Sequence, residues 1–182
     1  MKYWILADPH LGQVPDPAKA ENDVFGRPAD FSERILKGLR NIKDGVLVCL
    51  GDVCFKNEES WHEQIAKACP NILRWLILGN HDAKSATWYM THGWHFVGRS
   101  FLISIYGHDI LFSHKPQKET GEFSLNIHGH FHNTDFKKHE PEIASILTDK
   151  HRLIALEYSG FTPVNLKTVV DNPKKFSPDK IL

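Results

Sequence analysis

Cysteine and net charge are both scarce in this chain of 182 residues, which has three cysteines and balances 22 basic against 22 acidic side chains. Three cysteines cannot form a disulfide framework, so we expect reduced, buried thiols. The charge balance argues against a basic face that tracks extended nucleic acid. No apolar run approaches the roughly 18 residues of a membrane helix, and Asp8 interrupts the first apolar run too early for a secretory signal. These absences predict a cytoplasmic protein with no membrane partner.

The length predicts one domain, residues 1–182, with a frayed tail from 173 to 182. Strand and helix patterns alternate in the first half, and the second half is rich in strands, with a hairpin turn at 106–109. This order predicts an α/β fold: a four-layer αββα sandwich of two mixed sheets flanked by helices. The predicted helices are Phe31–Ile42, Ser60–Cys69, Ser85–His92 and Asn165–Asp171. The predicted strands are Tyr3–Ala7, Val46–Leu50, Leu73–Leu78, Trp94–Val97, Phe101–Tyr106, Asp109–Ser113, Ser124–His128 and Leu153–Tyr158.

Short polar clusters follow five of the predicted strands, where an α/β fold gathers side chains at one rim of a sheet. The clusters are Asp8-Pro9-His10, Gly51-Asp52, Gly79-Asn80-His81-Asp82, Ser113-His114 and Gly129-His130-Phe131-His132. Carboxylate, imidazole and carboxamide groups without thiolate suit Mn²⁺, Fe²⁺ or Zn²⁺. Each cluster alone is compatible with an ordinary turn, and the histidine-rich one with a mononuclear zinc site. Five clusters in series favour a metal centre.

His128 and Cys54 lie near these clusters, and each has two possible interpretations. In extended backbone, side chains two residues apart point the same way, so His130 and His132 can both reach neighbouring ions. His128 shares that spacing and competes as a ligand, although we interpret it as structural. Cys54, two residues after Asp52, could be a soft ligand, although a plain core cysteine is the better interpretation.

The clusters, read in order as DPH, GD, GNHD, SH and GHFH, resemble those of the calcineurin-like metallophosphoesterases, and the phrases LFSHKP and NIHGHFHN are most similar to the small single-domain bacterial and phage-type members. The resemblance implies two divalent ions, Mn²⁺ first, with Fe²⁺, Zn²⁺ and Ni²⁺ as alternatives. It places Asp52 as the carboxylate shared by both ions. One ion takes Asp8, His10, Asp52 and His132, and the other takes Asp52, Asn80, His114 and His130.

The same resemblance implies phosphate-ester hydrolysis by a metal-bridging hydroxide. His81 would protonate the leaving group, and Asp82 would orient the His81 ring. Two departures stand out. Pro9 lies between the first two ligands and is interpreted as tolerated, because proline fixes φ but keeps both side chains available. Residues 53–55 lack the acidic group that many relatives carry, which leaves the pocket, and so the substrate, open.

A small phosphate ester or nucleotide is the expected substrate. A phosphodiesterase is favoured over a phosphomonoesterase, because no lid domain is present and fixed cations are few. The loops that would choose the substrate are 13–30, 55–61 and 115–123. Arg27 and Lys115 are the candidate phosphate contacts, and Lys56 and Lys118 are further candidates. The alternative interpretation of all four is a simply solvated charge.

An alternative of another class is a non-catalytic scaffold, as the retromer subunit of this fold serves, although His81 in a complete motif set favours an enzyme. A nuclease is less expected, since nuclease relatives usually append a capping domain. The oligomeric state stays open.

Overall fold

The computed structural model describes residues 1–13 and 26–178, and for Phe136 the backbone alone. In chain order, the strands are β1 Tyr3–Leu6, β2 Val46–Cys49, β3 Leu73–Ile77, β4 Phe96–Gly98, β5 Ser100–Ile105, β6 His108–Ser113, β7 Leu125–His128, β8 His151–Leu153 and β9 Val164–Asn165. The helices are α1 Phe31–Arg40, α2 Glu58–Ala68, α3 Ala86–Thr91, α4 Phe136–His139, α5 Pro141–Ala144, α6 Leu156–Ser159 and α7 Leu166–Asp171.

Two mixed sheets form the centre of the fold. The first has the order β4-β3-β2-β1-β9, in which β1 to β4 are parallel and β9 is antiparallel. The second has the order β5-β6-β7-β8, in which β5 and β6 are antiparallel and the remaining pairs are parallel. Parallel strands end at the same edge of their sheet, so the loops after β1, β2 and β3 lie together, as do those after β6 and β7.

Two hydrophobic clusters explain why the strands of the first sheet are apolar throughout. Ile5 in β1 and Val48 in β2 face the second sheet and pack with Phe112 and Ile127. The alternate residues face the helices α1 to α3 instead and pack with side chains such as Ile35. Strands buried on both faces read as continuous hydrophobic runs rather than alternating ones. The predicted architecture of two mixed sheets flanked by helices is confirmed.

One prediction about the second half is wrong. The predicted strand Leu153–Tyr158 ends at Leu153, and its last residues, Leu156–Tyr158, belong to α6. In the predicted frayed tail, Phe176 O accepts a hydrogen bond from the backbone N–H of Leu153 at 2.8 Å, and Phe176 is only 8% exposed. Residues 179–182 lie outside the described part.

The hairpin turn falls at Tyr106-Gly107, where both residues have positive φ, as a two-residue turn of type I′ requires.

None of the helices described is long and apolar enough to cross a membrane.

Candidate metal centre

The predicted ligands lie in loops at the carboxyl ends of strands from both sheets. Asp8, Asp52 and Asn80 follow β1, β2 and β3, while His114 and His130 follow β6 and β7. The packing of the two sheets brings these two sets together. His114 Nε2 lies 3.5 Å from Asp52 Oδ2, and His114 Nδ1 lies 3.6 Å from Asp8 Oδ1. Residues from the first, second and fourth predicted clusters therefore share one site.

Left-handed backbone is concentrated at this site. Five of the predicted ligands have φ between 44° and 74°: Asp8, His10, Asp52, His130 and His132. For residues other than glycine this conformation costs roughly 1–2 kcal/mol each. Such strain gathers at functional sites, where the surrounding structure holds it in place. The strained residues and the predicted ligands are thus largely the same set.

Asp52 lies between the two predicted ligand groups. Its Oδ2 is 3.7 Å from His10 Nε2, a ligand of the first group, and 3.5 Å from His114 Nε2, a ligand of the second. One potential ligand atom from each of Asp8, His10 and His132 lies within 4.8 Å of the other two. The same holds for one atom from each of Asp8, Asp52 and His114. This spacing suits a carboxylate with ligand atoms of both groups around it.

Backbone amides fix the carboxylates of Asp8 and Asp52, and two glycines leave room for them. The N–H of His81 donates to Asp52 Oδ1, and the N–H of His130 donates to Asp8 Oδ2, both at 2.8 Å. A Cβ atom at Gly79 would overlap Asp52 Oδ1, and one at Gly129 would overlap Asp8 Oδ2. Glycine in both motifs therefore lets the backbone approach the carboxylates closely enough to fix one oxygen of each.

Several buried atoms at the site fit a cation. Asp8 Oδ1 and both ring nitrogens of His10 are buried and have no hydrogen-bond partner in the described ranges 1–13 and 26–178. His114 Nδ1 lies 2.7 Å from the carbonyl oxygen of Leu50, which can only accept, and His114 Nε2 lies 2.9 Å from Asn80 Oδ1. When Nδ1 of a neutral ring donates to Leu50, Nε2 and Asn80 Oδ1 both offer lone pairs, which a cation against both would satisfy. These residues therefore fit divalent metal ions.

Burial sets the charge states of two ligands when no ion is bound. Burial raises the pKa of Asp8 to about 7 despite the opposing charge of His132. Burial also lowers the pKa of His10 to about 2, so its imidazole is neutral at ordinary pH. A neutral imidazole is the form that binds metal, and a cation would supply the counter-charge that the Asp8 carboxylate lacks.

Arg27 lies behind the ligands rather than in front of them. Its side chain is 3% exposed and forms an ion pair with Glu157 at 2.8 Å. It also donates to the carbonyl oxygens of Asp8 at 2.8 Å and Pro9 at 3.1 Å, which fixes the loop that carries the first two ligands. The predicted contact between Arg27 and a substrate phosphate does not agree with this position, because the guanidinium is committed to the interior.

Glu157, which sequence reasoning missed, contacts a predicted ligand directly. Its Oε1 lies 3.5 Å from His132 Nδ1, while Arg27 Nη2 lies 3.1 Å from the same nitrogen. Burial raises the pKa of Glu157, but the hydrogen bond with His132 and the charge of Arg27 outweigh it and hold the pKa below its ordinary value. His132 Nε2 faces Asp8 Oδ1 at 4.0 Å. Nε2 can bind a metal only if Nδ1 carries the proton; Glu157 can accept that proton, whereas Arg27 can only donate to Nδ1 and so favours the other tautomer.

Asp82 is bonded to the backbone of two loops. Its Oδ2 accepts hydrogen bonds from the N–H groups of Asp52 and Gly79, each at 2.8 Å, and its Oδ1 accepts from Val53 at 3.1 Å. Both oxygens therefore tie the loop after β2 to the loop after β3 and hold the backbone of Asp52. That Asp82 orients the ring of His81 stays a prediction.

His81 lies at the mouth of the site. Its side chain is 51% exposed, with Nε2 4.0 Å from Asp52 Oδ2 and its ring 5.5 Å from that of His10. This position leaves the imidazole close to the ligands and open to a substrate.

The competing ligands suggested by the sequence, His128 and Cys54, belong to neither candidate ligand group found among the described residues. His128 is fully buried, and its ring packs against Phe131 and His151. Cys54 is buried with its Sγ 3.8 Å from His62 Nε2, and burial raises the pKa of its thiol to about 12. The interpretation of Cys54 as a core cysteine is confirmed, and all three cysteines are free.

Two cavities open beside the candidate centre. One, of about 360 Å³, includes His81, Phe55 and Glu140 in its lining, and Glu140 Oε1 lies 2.8 Å from His130 Nε2. The other, of about 370 Å³, includes Lys115 and Arg99. Arg99 had no signal in the sequence, because it belongs to none of the motifs. Most of the loop 13–30, residues 14–25, lies outside the described part.

The two-sheet fold and the gathered oxygen and nitrogen ligands define a protein of the metallophosphoesterase class. The chain belongs to the calcineurin-like phosphoesterase family, whose model matches residues 1–181. The resemblance inferred from the five motifs is confirmed. Members of this family typically bind divalent metals, and the ligand groups above are candidates for that role.

Solved structures share the fold at low identity. A protein of unknown function from Aquifex aeolicus is 19% identical, with a TM-score of 0.64, over 93% of this chain and 98% of that one. The nuclease MPE of Pseudomonas putida is 19% identical, with a TM-score of 0.49, over 71% of this chain and 61% of that one. An archaeal phosphodiesterase is 16% identical, with a TM-score of 0.45, over 71% and 73%. No curated protein sequence matches.

Proposed function

We propose that this protein hydrolyses a small phosphodiester with two divalent metal ions, Mn²⁺ first among them. The observation that carries the proposal is the position of Asp52 Oδ2, which has ligand nitrogens of both groups within 3.7 Å. Two ions on a shared carboxylate would lower the pKa of a bound water and neutralise the phosphoryl oxygens. The first group would be Asp8, His10, Asp52 and His132, and the second Asp52, Asn80, His114 and His130.

His81 is the proposed general acid. Its exposed imidazole lies at the mouth of the site, where it can donate a proton to the leaving oxygen of the ester. A monoanionic diester needs less compensating charge than a dianionic monoester, so the two ions and His81 can suffice for it. The burial of Arg27 takes away one of the two cations that the sequence offered to a monoester, although Arg99 lies beside Lys115.

The test compares bis(4-nitrophenyl) phosphate with 4-nitrophenyl phosphate in Mn²⁺, for wild type and His81→Ala. We expect the higher kcat/KM for the diester. We also expect the variant to lower kcat by about 10²–10⁴-fold for esters of poor leaving groups, and less for nitrophenyl esters, with metal content unchanged. Loss of metal along with activity would make His81 a ligand. A clear preference for the monoester would overturn the diesterase assignment, and no metal-dependent hydrolysis at all would favour the scaffold alternative.

A further inference from the structure

We infer that the cavity beside Arg99 is a second binding site, which receives a further anionic group, such as a phosphate, on the substrate of the metal centre. This inference rests on the proposed phosphodiesterase function and specifies its substrate class. Asn80 and His114 line this cavity of about 370 Å³, together with Arg99, Lys115 and Gln117. Because two of these residues are candidate metal ligands, a group bound here can belong to the molecule whose ester lies at the metals.

The charge of the cavity favours an anion. Arg99 and Lys115 both line it, and no carboxylate does so in the described part of the chain. The neighbouring cavity, in contrast, is lined by Asp52 and Glu140. An anionic arm of a substrate is therefore attracted to the Arg99 side.

Arg99 is also available for binding. Its side chain is exposed and makes no hydrogen bond or ion pair with any residue within 1–13 and 26–178. Lys115 approaches Glu140 Oε2 at 3.7 Å, a weak contact for a side chain that is 40% exposed. Neither cation has to leave a strong partner in order to bind a phosphate, and a guanidinium can hold two phosphate oxygens at once.

The backbone around Arg99 is held by both sheets. Its neighbour Gly98 accepts a hydrogen bond from the N–H of Leu78 at 2.8 Å, next to the third ligand loop. Its other neighbour, Ser100, pairs with Ser113, which precedes the ligand His114. The guanidinium thus extends from a point that is fixed relative to the metal ligands, as a specificity-determining residue requires.

The other cavity suggests what lies at the opposite end of the substrate. Phe55 lines it and is 50% exposed, so its ring is open to stacking. Aromatic side chains stack on nucleobases irrespective of base identity. A nucleoside phosphodiester that carries an additional phosphate would use both cavities, with the scissile ester at Asn80, which lines both.

The test uses two substrates that differ only by one phosphate: thymidine 5′-(4-nitrophenyl phosphate) and its 3′-phosphorylated derivative. Both release nitrophenol, so the chemistry is the same. We expect wild type to prefer the phosphorylated substrate by about 10–100-fold in kcat/KM, the contribution of a charged, forked contact. In Arg99→Gln the ratio should fall to within about threefold of unity, and Arg99→Lys should keep part of it. Arg34→Gln, an exposed arginine on α1 paired with Asp30, is the matched control and should keep the full ratio.

A wild-type ratio near unity would overturn the inference and leave the proposed function intact. An equal loss for both substrates in Arg99→Gln would overturn it as well, since Arg99 would then contact the scissile phosphate. If wild type hydrolyses neither substrate, the proposed function fails, and calorimetry still decides the site. Thymidine 3′,5′-bisphosphate should then bind at least tenfold more tightly than thymidine 5′-monophosphate, with the difference lost in Arg99→Gln. Equal affinities would refute the site.

Discussion

Replacing Glu157 should weaken metal binding although it is not a predicted ligand. In the wild type, Glu157 Oε1 at 3.5 Å can accept the Nδ1 proton of His132, which frees Nε2 for an ion. In Glu157→Ala that acceptor is gone, while the guanidinium of Arg27, 3.1 Å from Nδ1, can only donate. The ring then favours the tautomer with the proton on Nε2, which cannot bind metal.

The expected size of this effect follows from the contact that is lost. Removing a carboxylate that orients a metal-binding histidine typically lowers metal affinity by about 10–100-fold. That range corresponds to about 1.4–2.7 kcal/mol, similar to the contribution of one hydrogen bond to a charged group. Glu157→Gln keeps a neutral acceptor and should lie between the wild type and Glu157→Ala.

Calorimetric titration of the metal-free protein with Mn²⁺ measures the affinity, and ¹⁵N chemical shifts of the His132 ring report the tautomer. Only one of the two ions should bind more weakly. Glu119→Ala, which removes a half-buried glutamate paired with Lys150, is the control and should leave both affinities unchanged. Unchanged Mn²⁺ affinity in Glu157→Ala, or retention of the proton on Nδ1, would refute the reasoning.

Two further variants test the supporting structure. Asp82→Ala leaves three backbone N–H groups without their acceptor and should lower the free energy of unfolding in urea by about 3 kcal/mol; a loss below about 1 kcal/mol would contradict its positioning role. Burial lowers the pKa of His62 to about 4 from an ordinary 6.5. Between these pH values the unfolded chain binds a proton that the folded protein does not, so the free energy of unfolding is highest above pH 6.5 and falls as the pH falls toward 4. The loss is at most about 3 kcal/mol, and His62→Gln should flatten the pH dependence of unfolding by that amount; identical slopes would contradict it.

The candidate ligands were predictable where each one belongs to a short motif that follows an apolar strand. Asp8, Asp52 and His114 follow apolar strands directly, so strand order alone brings them to one rim. Glu157 and Arg27 could not be found in this way. They lie 130 residues apart, and their contact depends on how α6 packs behind the first ligand loop. Local pattern carries no information on such a pairing.

Two other features could not be read from local sequence for a similar reason. Asp82 follows His81 in sequence, which suggested a pair, but the direction of its side chain is set by three backbone amides from two other segments. The apolar run after Leu153 was compatible with either a strand or a buried helix, and periodicity cannot separate the two over so few residues. Tertiary packing made the choice in both cases.

The left-handed residues of the site have a consequence for protein engineering. At positions such as His10 and His130, glycine would adopt the observed backbone without the penalty that a side chain carries. A screen that rewards heat resistance alone, run with a chelator, would therefore tend to erase the ligands one by one and return a sturdier but inert scaffold. Stabilised versions of this protein should be selected with metal present, so that binding energy offsets the strain and the site survives the selection.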